Sequence, residues 1–568
     1  MTTMTWHYAP DPAAAPIRAL AEALSAEKPF PEALARILVQ RGVGSYEEAR
    51  HFFAPSAGDL HDPFLMRDME PAVARLAEAR SRGEKVMLLG DYDVDGTSAV
   101  TLLTLCCQDL GIETIYYIPD RYTEGYGVSY KGVDHAQAQG AGLIVALDCG
   151  IKSLEQVRYA KLKGIDFIIC DHHTPGTELP AAVAVLDPGR PDCPYPNKSL
   201  TGCGVGLKLM MALASRIAPS YDALGKYADL VTLSIACDIV AITGENRIIA
   251  HLGLAKLRSN PLPGLKILMD QSKDAREWDI SDLVFFVGPR INSAGRLHHA
   301  SGAVEVLLGR SQQLASLAED LQESNDARKD LDRSITEEAL REIAADPGYA
   351  ARSSTVLFNP AWHKGIIGIV ASRLIEKHYR PTVLLTETEG KLVGSARSVA
   401  GFDLYAALDA CSEHLVQFGG HRYAAGLTLK AEHYERFRER FESVVAEHLR
   451  PEQRHPVLEI DGRLRLPEID ERFVRILNRM EPFGPENRRP VFCAEGVEVS
   501  SVMIMKEDHV RFTLEQDGAR IEAVGFFMAD RWRESESRQL DIAFQPAFNT
   551  WNQQTRINLR LKDFKPSA

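Results

Sequence analysis

The sequence predicts an α/β protein of two α/β lobes joined by a long helix, followed by a small antiparallel β-barrel of the oligonucleotide-binding (OB) type. Three observations predict it. Between about residues 75 and 260, short apolar runs alternate with amphipathic stretches, the pattern of a parallel sheet with helical crossovers. From Gln312 to Ala345 there is neither Gly nor Pro, and Leu314, Leu317, Leu321, Leu331 and Ile335 stand among dense charges, which reads as a long exposed helix. Beyond Arg450-Pro451 the pattern changes to short alternating strands separated by turns, as in small barrels.

Taken in order, residues 1–60 read as a helical, peripheral segment, with Pro10, Pro12 and Pro16 marking a loose start. The first lobe is assigned to 61–265. In it Lys85–Gly90 runs into Asp91-Tyr-Asp93-Val-Asp95-Gly96, Leu143–Leu147 into Asp148-Cys-Gly150, and Ile165–Cys170 into Asp171-His172-His173. A further short strand, Ala182–Leu186, ends at Asp187-Pro188-Gly189, and Ala228–Cys237, helix or strand, delivers Asp238. A connecting helical region covers 266–345. The second lobe, 346–450, begins strand Thr355–Phe358, helix Gly368–His378, strand Thr382–Leu385. The barrel, 451–568, includes Val510–Leu514, Ile521–Phe527, a turn at Asn549-Thr-Trp-Asn552 and a last strand Arg556–Leu561.

Composition removes several classes. At 45% hydrophobic and 25% charged the chain is an ordinary globular one. No apolar run approaches the ~18 residues of a membrane span, and the N-terminus has no basic or apolar leader, so a cytoplasmic protein is expected. The nine cysteines include no Cys-x-x-Cys pair, which argues against zinc ribbons and disulfide frameworks. Cys149, Cys170 and Cys237 adjoin candidate ligands; they read first as small buried side chains, second as thiolate ligands. The net charge of −13 speaks naively against nucleic acid. Yet residues 451–568 carry 18 Lys/Arg against 20 Asp/Glu, so nearly all the excess lies before them, partly in the acidic cluster itself.

One Asp after a strand is usually a cap or a turn former. Three strand-ending acidic motifs within about 85 residues, plus Asp238, make independent capping a poor account. In a parallel sheet these ends form the binding crevice. Carboxylates gathered there repel one another unless cations hold them. Alternation aims Asp93 and Asp95 at one side, Asp148 stands where a bridging ligand would, and His173 follows the candidate ligand His172. Oxygen donors with an added imidazole suit Mn²⁺ or Mg²⁺, and a pair of ions suits phosphoryl chemistry. In the second lobe, Ser395-Ala-Arg397 reads as a basic Gly-rich turn able to take an anion, as does Arg290 with Arg296 in the connecting region. Gly419-Gly420-His421 reads as a loop of close backbone approach.

These motifs resemble those of the DHH phosphoesterase superfamily and, within it, the RecJ family of single-strand-specific 5′ to 3′ DNA exonucleases. The resemblance continues through Ile118-Pro-Asp-Arg121, Glu124-Gly-Tyr-Gly127, Gly202-Cys-Gly-Val-Gly206 and Gly288–Leu297. Trp362–Gly368, Gly394–Arg397, Gly419–Gly426 and Glu481–Asn487 complete it. It implies a DHH domain, a connecting helix, a DHHA1 domain and an OB domain. It implies that Asp93, Asp95, Asp148, His172 and Asp238 ligate the two Mn²⁺ or Mg²⁺ ions, that Asp91 supports or joins them, and that His173 meets the scissile phosphate. Asp148, His172 and His173 are then the catalytic set. Arg121, Arg296, Ser395 and Arg397 fall where the DNA backbone and its 5′-terminal phosphate are held, in a two-lobed clamp that admits single strands. Val94 and Cys237 depart from common family choices without removing a ligand. The resemblance further implies a monomer acting on single-stranded DNA in recombination and repair, with single-strand-binding protein and a RecQ-type helicase as partners.

Two other readings remain at this point. Small-substrate phosphoesterases of the superfamily lack the terminal barrel, and scaffolds that have lost catalysis lose the acidic motifs; this chain has both. Trp551 and Phe526 are candidates for stacking on bases, with Phe526 expected in the barrel core and Trp551 open.

Overall fold

In the computed structural model, which describes residues 4–272, 277–535, 537–551 and 554–567, the strands expected between 85 and 186 align in one parallel sheet. Val86–Gly90 and Leu143–Leu147 are buried along their whole length, as continuous apolar strands covered on both faces must be. The spatial order is Thr114–Tyr117, Val86–Gly90, Leu143–Leu147, Asp166–Cys170, Ala184–Leu186. Thr114–Tyr117 is an addition to the sequence reading; it is a half-buried edge strand, so no fully apolar run announces it. The chain leaves Val86–Gly90 to one side for that strand and returns to the other side for Leu143–Leu147. The strand order therefore reverses beside Val86–Gly90, which is where open α/β sheets bind ligands.

Helices Val94–Asp109 and Gly202–Ile217 pack against this sheet and Ala223–Cys237 packs on both of them, most of their residues buried. The last of them settles Ala228–Cys237 as helix. The sheet belongs to one of two units of the chain, formed by Glu47–Asp326 with Met480–Arg489. Within that unit Arg247, stacked 3.7 Å from the Phe52 ring, donates to the carbonyls of Phe52, Met480, Glu481 and Pro482. One guanidinium thus holds residues 480–482 in place.

The other unit takes the chain up to Tyr46, Ala327–Arg479 and Pro490 onward. Its five-stranded sheet runs in the order Gln417–Gly420, Ala424–Lys430, Lys391–Arg397, Thr382–Thr388, Thr355–Phe358, with only the last pair parallel. The barrel closes because Phe492–Met505 pairs both with His509–Gln516 and with Gln539–Trp551. Ala519–Gly525 and Gln554–Pro566 pair in parallel to complete the ring.

Several expectations are corrected. Thr5–Tyr8 is a strand, paired in parallel with Val457–Ile460, so residues 1–60 are not all helical. The helix Leu314–Ala345 is buried rather than exposed along stripes at both ends, through Ala318 and Leu321 and through Ile335, Ala339 and Ile343. Strand continues through Asn549–Trp551, where the sequence reading placed a turn over Asn549–Asn552; Asn552 lies outside the described residues. Phe526 is 45% exposed: it lies in the turn just past the strand Ala519–Gly525, whose inward positions are taken by Ala523 and Gly525. The side chain of Trp551 lies outside the described residues. No helix among the described residues is long and apolar enough to cross a membrane.

Candidate metal centre

Register gathers the acidic residues. Gly90 pairs with Leu147 and Leu147 with Cys170, so Asp91, Asp148 and Asp171 follow the ends of three adjacent strands. Asp93 caps the helix Val94–Asp109, accepting from Gly96 N at 3.0 Å. Asp95, in that helix's first turn, accepts from Gly202 N (2.7 Å), Cys203 N (2.9 Å) and Ser234 Oγ (2.6 Å). Its carboxylate rests on the N-terminus of helix Gly202–Ile217, where the dipole favours negative charge. Asp238 ends the helix Ala223–Cys237.

Asp148 has φ 58°, a left-handed conformation unusual for a side-chain-bearing residue. Its N–H donates to Cys170 O and its carbonyl accepts from Tyr126 Oη, each at 2.9 Å. Gly202 packs against it so closely that a Cβ there would lie 2.6 Å from Asp148 Cα. Gly202→Ala is therefore expected to displace Asp148 and weaken Mn²⁺ binding by roughly 10–100-fold, as read by isothermal calorimetry; unchanged affinity would refute the role of that contact.

Three sets of donor atoms each lie within 4.8 Å of one another: Asp91, Asp93 and Asp148; Asp95, His172 and Asp238; Asp148, His172 and His173. They share Asp148 and His172, as expected for two adjoining sites with common ligands. Electrostatics agree. Burial, then the charge of Asp93, raises the Asp91 carboxyl to about 8. Burial, then Asp95 and Asp93, raises Asp238 to about 8. Asp148 is pushed well above the ordinary range by burial and by Asp95, Asp93, Asp91 and Asp238. Asp91 Oδ1 and Asp238 Oδ2 are buried with no hydrogen-bond partner. Unsatisfied buried carboxylate oxygens among like charges call for cations, and five carboxylates with one or two imidazoles fit Mn²⁺ or Mg²⁺. Cys149, Cys170 and Cys237 are free cysteines whose thiols burial pushes up, and none of them joins a donor set among the described residues, which favours small packed side chains over thiolate ligands.

Asp171 does different work. Oδ1 accepts from His172 N (2.7 Å) and lies 2.7 Å from His173 Nδ1, while Oδ2 accepts from Ile151 N (2.9 Å). It belongs to none of the three donor sets, and its contact with Nδ1 orients His173 instead. Tyr126 Oη lies 3.1 Å from His173 Nε2 and 3.3 Å from Nδ1. Although burial pulls it down, His173 is raised to about 9, chiefly by Asp171. Carboxylate-oriented histidines depend on the carboxylate. Asp171→Asn is accordingly expected to lower the rate roughly 10–100-fold with Mn²⁺ stoichiometry unchanged; a rate equal to that of the parent protein would remove Asp171 from the machinery. Tyr126 was visible in the sequence only inside Glu124-Gly-Tyr-Gly127, and nothing there assigned it this contact.

The basic residues divide. Arg121 lies over the Tyr92 ring at 4.7 Å and its charge reaches Asp91. Tyr122 Oη bonds to Arg296 O, and Gly295 packs on Tyr92 O, so Arg121 and Arg296 gather beside the Asp91–Asp95 turn. Arg290 corrects the expectation of a basic turn. It lies in the helix Gly288–Leu297, is 6% exposed, and donates to Gln322 Oε1 (2.7 Å) and Phe286 O, so it ties helices together instead of facing an anion.

Ser395 and Arg397, expected in a turn, are within the strand Lys391–Arg397. Arg397 Nη1 donates to Ser395 Oγ at 3.0 Å. A Cβ on Gly368, in the first turn of helix Ile367–His378, would stand 2.8 Å from Ser395 Oγ and 3.0 Å from Arg397 Nη2. A glycine at a helix N-terminus facing a hydroxyl and a guanidinium is a cradle for an anion. His421 is exposed at the tip of the hairpin joining Gln417–Gly420 to Ala424–Lys430, its N–H on Ala424 O.

A parallel-sheet domain with clustered carboxylates and imidazoles at its switch point, a mixed-sheet domain with an anion cradle, and an OB-type barrel define a metal-dependent phosphoesterase of the DHH class. Residues 85–235 match the DHH family, N-terminal domain, 352–447 the DHHA1 domain, and 460–563 the RecJ OB domain. The chain is 34% identical to a single-stranded-DNA-specific exonuclease RecJ of Bacillus subtilis, over 93% of this chain and 67% of that one. It is 33% identical to the RecJ of Dickeya dadantii, over 94% and 96%. In structure it is similar to RecJ from Thermus thermophilus in complex with Mn²⁺, with TM-score 0.84, 26% identity, and 100% of this chain and 80% of that one covered. The chain belongs to the RecJ family.

Proposed function

We propose that this protein is a single-strand-specific DNA exonuclease that degrades from the 5′ end, releases 5′ mononucleotides and acts in recombination and repair. The observation that carries the reading is the pair of donor sets, Asp91/Asp93/Asp148 and Asp95/His172/Asp238, complete at the switch point of a RecJ-family chain. Mn²⁺ or Mg²⁺ ions held there would supply a water of lowered pKa and neutralise charge on the phosphoryl oxygens. Asp148 and His172 belong to two sets each and would contribute to both positions. His173, held by Asp171, is placed to hydrogen-bond a phosphate oxygen or carry a proton. Arg121 and Arg296 hold the strand backbone as forked donors.

Hydrolysis joins a water oxygen to phosphorus and returns the 3′ oxygen of the terminal nucleotide as a hydroxyl. The remaining strand again ends in a 5′ phosphate, so the cradle of Gly368, Ser395 and Arg397 suits every cycle alike. His421 adds a contact from the same domain, and the barrel of 451–568 binds the strand beyond. A monomer that works in the cytoplasm on nucleoid DNA beside single-strand-binding protein and a RecQ-type helicase completes the proposal.

The test uses single-stranded DNA labelled at its 3′ end, with and without a 5′ phosphate, in Mn²⁺, Mg²⁺ or chelator. Metal-dependent loss of mononucleotides from the 5′ end is expected; binding without cleavage in either metal would overturn the reading. Arg397→Ala is expected to erase most of the advantage of a 5′ phosphate, a loss on the order of tenfold for one charge-assisted contact. Its rate on unphosphorylated ends should stay nearly constant, and an undiminished preference would place the phosphate elsewhere.

A further inference from the structure

A half-open cavity of about 320 Å³ lies in the unit that carries the cradle, within the size range of small-ligand sites. Its floor is Phe402, Ala406, Ala407 and Val444, and its rim holds Arg422, His448, Arg450 and Gln453. Phe402, Ala407 and Val444 belong to the apolar cluster under Leu392 and Ala396. Strand alternation therefore puts the cavity on the opposite face of the sheet from Ser395 and Arg397, and neither lines it.

The cavity is built rather than incidental. Gln453 is 7% exposed; its Oε1 accepts from Arg450 N at 2.9 Å, and among the described residues its Nε2 meets no acceptor. That amide lines the opening beside Gly401. A Cβ at Gly401 would stand 2.9 Å from Nε2, and φ there is +81°, so glycine keeps the mouth open. His448 Nδ1 lies 2.9 Å from Val444 O, which places its proton there and leaves Nε2 as an acceptor. Arg422 spends one nitrogen on Gly401 O, and Arg450 meets Glu452 at 3.2 Å in an exposed, weak pair. Asp403, also on the rim, accepts from Ala406 N through Oδ1 as the cap of helix Leu404–Asp409, and the two guanidinium groups offset its charge. What remains available is a flat apolar floor, one amide donor, one imidazole acceptor and two guanidinium forks. That inventory matches a planar heterocycle with a carbonyl and an amino edge, carrying a dianion.

We propose that this cavity binds a nucleoside monophosphate, the product class of the reaction proposed above, at a position separate from the metal centre. The base lies on Phe402 and the alanines, Gln453 Nε2 and His448 Nε2 read its edge, and Arg422 and Arg450 take the phosphate. The inference rests on the exonuclease reading for its choice of nucleotide.

The test photolabels the full-length protein, in chelator, with 8-azido-2′-deoxyadenosine 5′-monophosphate and maps the labelled peptides. Label on residues 401–410 or 444–453 is expected, competed by deoxyadenosine monophosphate but not by inorganic phosphate. Ala406→Trp, at an exposed position of the floor, fills the cavity and should cut labelling about tenfold, with the exonuclease rate at low product unchanged. Arg450→Glu should do the same without added bulk. Label confined to 85–240 or 362–397, or undiminished in both variants, overturns the proposal. Absence of exonuclease activity with label still mapped to the cavity would remove the reaction and leave the site standing.

Discussion

Asp148→Ala should lower the rate of metal-dependent nucleotide release on the order of 10³-fold, at the upper end of what a lost hydrogen-bond donor costs an active site. Its carboxylate belongs to two of the three donor sets, so one truncation opens both positions. The same change should stabilise the metal-free protein. In chelator, Asp148 is a buried carboxyl facing Asp95, Asp93, Asp91 and Asp238, and its removal relieves that repulsion. With Mn²⁺ the order should reverse, because the parent protein gains binding energy that the variant lacks. Single-turnover kinetics and melting curves with and without Mn²⁺ measure both. A rate within tenfold of the parent would refute the role assigned to its membership of two donor sets, and a lower melting temperature in chelator would refute the repulsion.

The pH dependence has a definite sign. Asp91 and Asp238 are raised to about 8 in the folded, metal-free protein, against about 4 in an unfolded chain. Between those values the native state binds more protons than the unfolded one, so these groups make stability fall as pH rises. Bound cations should flatten that slope.

The site was more legible than its surroundings. Carboxylates after buried strands serve no apolar core, so Asp91, Asp93, Asp95, Asp148 and Asp238 stood out by position. Distinguishing Asp171 from them was beyond the sequence: residue type and placement are the same, and only the folded geometry turns its carboxylate toward His173 and away from the donor sets. Arg290 misled for a related reason. A charged residue in a glycine-containing stretch reads as solvent-facing, yet a guanidinium can be buried when carbonyl and amide oxygens meet it. Among the elements, Val86–Gly90 and Leu143–Leu147 were plain because they are buried on both faces. Thr5–Tyr8 was hidden because its partner, Val457–Ile460, lies at the far end of the chain, and a strand stabilised by so distant a segment carries little local signal. Phe526 shows that a large aromatic does not locate a core when the neighbouring Gly525 takes the inward position.

Lys208→Met should destabilise the protein by about 3–5 kcal/mol, the cost of breaking a buried ion pair from one side. Lys208 and Glu245 are 0% and 1% exposed, and Nζ lies 2.5 Å from Oε1. Glu245 also accepts from His61 N (2.9 Å) and Tyr195 Oη (2.7 Å), and Lys208 donates to His61 O (3.1 Å). Burial holds the lysine below its ordinary range despite Glu245, which shows that desolvation is large and that the pair persists through mutual compensation. Methionine keeps the volume of the stem but leaves the carboxylate facing neutral donors only. Lys208→Met combined with Glu245→Gln should recover most of the loss, since no buried charge is then left. Denaturant unfolding of the four proteins gives the coupling; a single-variant cost below about 1 kcal/mol would refute it. The consequence reaches the metal centre. Lys208 sits on helix Gly202–Ile217, whose first N–H groups hold Asp95, so a helix loosened at Lys208 should bind Mn²⁺ more weakly, and the double variant should restore affinity together with stability.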